Sequence, residues 1–204
     1  MELLTTLGRT LGFSFAAGIN LYATVAILGL ASRYGWVQLP PQFAVFDSDM
    51  LIGLAVVLYL IEFFADKIPW VDSAWDALHT LVRPAGGALI AVASLGEASP
   101  GVEALVALLG GTVAAGSHLT KAGTRAVVNT SPEPFSNWIL SLVEDAFVIG
   151  FGIVTLKYPL AAFAVAVVLI VLVAVFIRVL IRALFTLWSR IKGPQPGTGV
   201  QAPR

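Results

Sequence analysis

Cysteine is absent from the chain. Disulfides, thiolate metal sites and thiol nucleophiles are therefore excluded, and any chemistry falls to oxygen and imidazole groups. Charge is also scarce. Only 12% of the 204 residues are Asp, Glu, Lys or Arg, against about 25% in an average soluble domain, so water is not the main solvent of this chain. Twelve basic residues balance twelve acidic ones, and without a basic excess no nucleic-acid backbone is matched. No P-loop, Gly-x-Ser-x-Gly elbow, HExxH or dinucleotide fingerprint is present.

What is present is apolar surface, 58% of residues, in continuous rather than alternating runs. About 20 mostly apolar residues span the roughly 30 Å of bilayer hydrocarbon as a helix. The expected fold is an all-α polytopic membrane protein of six segments, over residues 11–32, 50–65, 84–95, 102–116, 135–156 and 160–177. The first run is too long for a signal peptide. Turns are expected at Pro40 and Pro41, Pro69, Pro84, Pro100, Pro132 and Pro134, and Pro159. The third and fourth runs are short and adjoin amphipathic stretches at 71–83 and 117–128, so interrupted or re-entrant helices are expected there. Residues 1–192 form one transmembrane domain, and the polar tail at 193–204 is expected to be disordered in the cytoplasm. The distribution of basic residues puts both termini inside a bacterial inner membrane, with Arg33 and Lys157 facing out. Arg178, Arg182, Arg190 and Lys192, interleaved with Phe176, Phe185 and Trp188, read as anchors among membrane lipids.

The two halves, 11–98 and 102–190, share an order of features. AAGIN at 16–20 precedes Glu62 in LYLIEFF, and AAGSH at 114–118 precedes Glu144 in ILSLVED. Three spans per half would make this a 3+3 inverted repeat, a recurring design of transporters and channels. Chance alignment of Leu-rich helices is the competing account.

Ionisable groups inside hydrocarbon cost about 2.5 kcal/mol or more each, so they need a partner, a cavity or a function. Glu62 and Asp66 lie one turn apart at the end of the second run, and Glu144 and Asp145 lie deep in the fifth. Lys121 and Arg125 are the candidate partners, with His118 nearby and Asn20, Tyr22 and Thr24 able to line a path. Asp72, Asp76, His79 and Arg83 share one helix face. The first three could hold a divalent cation; alternatively this face is solvated and Asp76 pairs with Arg83. Lys121 and Arg125 could instead meet anionic headgroups.

The segments AAGINLYAT, IEFFADKIPWVDSAWDALHTLVRP and HLTKAGTRAVVNTSPEPFSNWILSLVED resemble the bacterial membrane family catalogued as domain of unknown function 4126. The resemblance covers about 12–158 and implies a small multi-span protein, with no site residues to transfer. IEFFADK is also similar to the Glu-x-Gly-Asp-Lys motif of a cation and proton exchanger family, although the acids are farther apart here and the glycine is missing. The functional expectation is a small secondary transporter or channel-like protein for a polar or ionic solute. A metal-dependent intramembrane enzyme acting on lipid, and a lipid-handling or structural subunit, are the alternatives. Glycine-rich helices permit a homo-oligomer.

Overall fold

The computed structural model describes residues 2–130 and 135–191. The expected tail at 193–204, Lys192 and the prolines at 132 and 134 lie outside the described residues. The described chain is helical, without strands: α1 (Glu2–Ile19), α2 (Leu21–Arg33), a 3-10 turn (Pro41–Phe46), α3 (Asp49–Ala65), α4 (Pro69–Leu95), α5 (Pro100–Val128), α6 (Phe135–Lys157) and α7 (Pro159–Ile191). α4, α5, α6 and the Pro159–Thr186 part of α7 are long and apolar enough to cross a membrane, and α2 is a shorter apolar helix.

The first run, expected as one span over 11–32, is broken. Asn20 adopts an extended conformation (φ −145°, ψ 99°) between α1 and α2, and its Oδ1 accepts the Ala23 N–H at 2.9 Å. That cap satisfies one of the donors that a helix start leaves open. Close approaches then fix the directions. Gly8 abuts the Pro159 carbonyl, Gly12 abuts Thr155, and Gly18 abuts Ala114 and Ser117. α1 therefore starts beside the α6–α7 junction and runs into the bundle along α5. α2 turns back, with Leu21 against Gly86, Ile27 against Gly152, and Gly29 against Ile52 and the Phe46 carbonyl. Phe13 of α1 meets Phe43 of the 3-10 turn edge-on, at 6.2 Å between ring centroids. α1 and α2 thus form a V that enters and leaves at one end of the bundle, with Asn20 at its tip. Every residue from 10 to 18 is buried, as expected of a helix surrounded by others.

The breaks expected in the third and fourth runs are not where the chain interrupts its helices. Residues 71–83 and 84–95 form the single helix α4, which carries Pro84 inside it, and 102–116 and 117–128 form α5. Proline removes one backbone bond, which packing against neighbouring helices makes tolerable. α4 is amphipathic in the opposite sense to the solvated face considered above. Asp72, Asp76, His79 and Arg83 are buried, whereas Leu78 and Leu81 are 69% and 81% exposed. The outer surfaces of α5, α6 and α7 likewise carry exposed Leu105, Leu108, Leu142, Val143, Val171 and Leu172. Polar groups inside and apolar groups outside invert the soluble pattern and suit a hydrocarbon solvent.

The expected inverted repeat does not match the directions of the helices. Ser14 lies beside Gly110, and Gly18 beside Ala114 and Ser117, so the AAGIN and AAGSH segments run side by side in the same direction. An inverted relation would oppose them. The break at Asn20 also has no counterpart at His118, which lies within the uninterrupted α5. The two motifs are small because they touch: a methyl group at Gly18 would overlap the Ala114 carbonyl and the Ser117 hydroxyl.

A candidate ion site at the tip of the helix hairpin

The C-terminal end of α3, the first half of α4, the second half of α5 and the first half of α6 meet at one end of the bundle, and the hairpin tip points at them. Where α1 stops, the last carbonyls of its final turn lack intrahelical partners. Two cations take them. Arg83 Nη1 lies 3.4 Å from the Gly18 carbonyl, and Lys121 Nζ 3.3 Å from that of Ile19. The negative end of the α1 dipole favours these positive charges.

Glu62 is the hub, fully buried at the end of α3. Its Oε1 accepts from Arg83 Nη2 at 2.9 Å and Lys121 Nζ at 3.3 Å, and its Oε2 from the Trp75 indole at 3.3 Å. One turn on, Asp66 Oδ2 accepts from Lys121 at 3.0 Å and Arg125 Nη2 at 2.9 Å. Arg125 continues to Glu144 Oε2, with Nε at 3.1 Å and Nη2 at 2.9 Å. Its Nη1 donates to the Asp66 carbonyl at 3.0 Å and to Asn137 Oδ1 at 2.6 Å. Asp145 accepts from Asn20 Nδ2 at 3.3 Å, so both adjacent acids of α6 face inward, each to a different partner.

The stripe on α4 joins the same cluster. Arg83 Nη1 lies 3.2 Å from Asp76 Oδ1, so the pairing considered for these two is present, on a buried face. Asp72 Oδ2 accepts from Asn129 Nδ2 at 2.7 Å. His79 Nδ1 lies 2.7 Å from the Trp75 carbonyl, an acceptor only, so this nitrogen carries the proton, and Nε2 then accepts from the Tyr22 hydroxyl at 2.8 Å. His118 is the opposite tautomer. Its Nδ1 accepts from Arg83 at 2.9 Å, and its Nε2 faces Thr80 at 3.2 Å. Among the described residues no three His, Asp or Glu side chains are grouped to hold a metal ion. Asp72, Asp76 and His79 therefore share a helix face without forming a chelating set, because His79 is turned away to Tyr22.

Every candidate residue of the sequence lies in or beside this cluster: Asn20, Glu62, Asp66, Asp72, Asp76, His79, His118, Lys121, Arg125, Glu144 and Asp145. Not anticipated were Trp75, Asn129 and Asn137, which complete the hydrogen bonding. Asn137 was legible, since Asn137, Ser141 and Asp145 recur at helical spacing in an otherwise apolar run.

Five buried carboxylates, at residues 62, 66, 72, 76 and 145, face three buried cations at 83, 121 and 125, and the partly buried Glu144 and Lys67 add one charge of each sign. Taking an ion out of water costs several kcal/mol, offset only where pairing is complete. Pairing here is incomplete. Asp66 Oδ1, Asp72 Oδ1, both Asp76 oxygens, Asn129 Oδ1 and Asp145 Oδ2 are buried without a hydrogen bond. A cavity of about 160 Å³ lined by Phe15, Ile19, Ser117, Thr120, Lys121, Thr124, Leu140 and Glu144 lies along α5, and a second of about 230 Å³ reaches Asp76 and Arg125.

Fold and site together define a polytopic-type helical protein built around a buried, acid-rich ion cluster at the end of a helix hairpin. The model of the family described as Domain of unknown function (DUF4126) matches residues 7–179, and the chain belongs to that family. No curated protein and no solved structure matches the chain.

Proposed function

We propose that the protein is a small secondary transporter or channel-like conductor of a small polar or ionic solute, with Glu62, Asp66 and Glu144 as its ion or proton site. The observation that carries this reading is the surplus of carboxylates over cations inside a bundle whose exterior is apolar. Such a surplus is more than a purely structural ion-pair network needs, and intramembrane ionisable groups mark ion paths. A broken helix whose ends meet charged groups inside the bundle is a familiar way to build one. Protonation of a carboxylate freed from Lys121 or Arg125 would couple proton movement to the solute.

The accompanying topology is a re-entrant α1–α2 hairpin and five crossing helices, α3 to α7, in a bacterial inner membrane. The end that carries Lys67, Arg178, Arg182 and Arg190 is then cytoplasmic and the end that carries Arg9, Arg33 and Lys157 is outside, a basic count of four to three in the sense of the positive-inside rule, and Asp47, Asp49, Glu97 and Glu103 lie at the outer end. α1 starts at that acidic end, so the N-terminus is outside, opposite to the orientation expected from six spans.

Purified protein in liposomes carrying an internal pH indicator tests the reading. Dissipation of an imposed proton or cation gradient by the wild type, lost in Glu144→Gln, supports it. Flux unchanged in Glu144→Gln removes Glu144 from the path.

One observation favours a lipid-handling alternative. An apolar cleft of about 400 Å³ between α2, α3 and α4, lined by Leu21, Val25, Leu51, Leu54, Leu58 and Leu89, ends at Tyr22, whose hydroxyl bonds His79. Scrambling of a fluorescent lipid in the same vesicles, without ion flux, would select that alternative.

A further inference from the structure

We infer that the cavity between α4 and α5 at Asp76 is a binding site for one small, partly hydrated monovalent metal cation of the Na+ type. This deepens the transport reading, from which it takes its functional meaning, although binding itself is measurable without transport.

The side chain that carries the inference is Asp76. The residue is 5% exposed, lines the cavity of about 230 Å³, and neither carboxylate oxygen accepts a hydrogen bond. An orphaned carboxylate in a low-dielectric interior is expensive, and its ion-pair contact among the described residues is Arg83 Nη1 at 3.2 Å. That guanidinium is already shared with Glu62 at 2.9 Å. The walls add oxygen donors to a cation: the hydroxyls of Ser73 and Thr80 line the same cavity. Both hydroxyl hydrogens are spent on backbone carbonyls, of Pro69 and Asp76 respectively, and each oxygen accepts once, Ser73 from Asn129 and Thr80 from His118 Nε2, which leaves one lone pair on each for a ligand. At the Ser73 end, Asn129 donates to Asp72 Oδ2 at 2.7 Å and to Ser73 Oγ at 3.3 Å. Asn129 Oδ1 and Asp72 Oδ1 are themselves buried without a partner.

The chemistry of the donor set selects the ligand. Asp76, which lines this cavity, offers two oxygens without hydrogen bonds, and the Asp72 and Asn129 oxygens beyond Ser73 lack them too, whereas Arg83 Nε is a buried donor in the same state. One proton would add a single donor, whereas a hard cation with residual waters satisfies several oxygens at once. The volume exceeds the roughly 30 Å³ that one water occupies, so there is room for hydration. A divalent ion is disfavoured because among the described residues no three acid or imidazole side chains converge. Arg83 and Arg125, the latter 3.9 Å from Asp72 Oδ1, already balance part of the negative charge, so that one further positive charge suits the remainder.

The test uses purified full-length protein in detergent. Its thermal unfolding midpoint is followed as NaCl replaces choline chloride at constant ionic strength, together with equilibrium binding of radioactive 22Na+. The site predicts a saturable rise in midpoint and saturable 22Na+ binding in the wild type, both lost in Asp76→Asn. Should that variant fail to fold, Ser73→Ala is to weaken 22Na+ binding several-fold, and undiminished binding in that variant overturns the site. No response of the wild type to Na+, K+ or Li+ beyond that to choline overturns the site. A midpoint that responds to pH alone overturns it too, in favour of a proton. Either negative result leaves ion flux through Glu144 to its own assay. Conversely, Na+ binding without any flux in liposomes removes the transport reading and leaves the site.

Discussion

Replacing Arg83 by methionine isolates what the ionic cluster contributes to stability. The methionine keeps much of the side-chain length but removes the guanidinium that lies 2.9 Å from Glu62, 3.2 Å from Asp76 and 2.9 Å from His118. Exposed ion pairs contribute at most about 1 kcal/mol, but the side chains of Arg83 and Glu62 are both 0% exposed. Removing one partner of a buried pair leaves the other charged and unsolvated, at a cost of about 3–5 kcal/mol. Lys121, 3.3 Å from the same Glu62 oxygen, holds the cost toward the lower part of that range. Glu62→Gln should return part of the loss, with a coupling of about 1–3 kcal/mol in the double-mutant cycle. The assay is equilibrium unfolding in mixed micelles, followed by circular dichroism, for the wild type, both single variants and the double variant. A loss below about 1 kcal/mol for Arg83→Met, the value of an exposed pair, would refute the reasoning. So would strict additivity with Glu62→Gln.

Gly18→Ala is expected to cost about 1–3 kcal/mol or more, because its methyl overlaps the Ala114 carbonyl, which cannot rotate away; Gly53→Ala, with nothing within 4 Å, is the near-neutral control in the same unfolding assay. Asn20→Ala removes the α2 cap and the Asp145 partner, and should lower the unfolding free energy by about 0.5–2 kcal/mol. The absence of native cysteine makes single-cysteine labelling in oriented membranes clean. Cysteines at the exposed positions Leu3, Trp36 and Tyr158 should react from one face, and those at Trp70, Phe135 and Phe185 from the other. Reaction of Leu3→Cys with the second group would overturn the hairpin topology.

The helical class and most element positions were legible in the sequence, because long apolar runs leave the backbone few alternatives. The run at 50–65 became α3, and that at 135–156 became α6, each within a residue at either end. Helix continuity was harder to read. Pro84 looks like a boundary by local propensity, but its helix is held on both sides by α1 and α5, and tertiary packing overrides the local signal. Asn20 looks unremarkable inside an apolar run, yet it breaks the helix because its side chain offers α2 a cap and Asp145 a donor. The membership of the ion cluster was legible as polar residues in apolar surroundings. Its wiring was not, since Glu62, Lys121 and Glu144 are brought together only by the packing of three helices. The sense of the α4 stripe depended on the solvent: an amphipathic helix turns its polar face outward in water and inward in hydrocarbon.

Charge movement through the cluster is the central claim, and current recorded on a solid-supported membrane tests it most directly. Proteoliposomes containing the wild type should give a transient current when the outer solution jumps in pH or in monovalent cation, and Glu144→Gln, folded to the same melting profile, should give none. Silence from the wild type under every such jump, or an undiminished current from Glu144→Gln, would contradict the account.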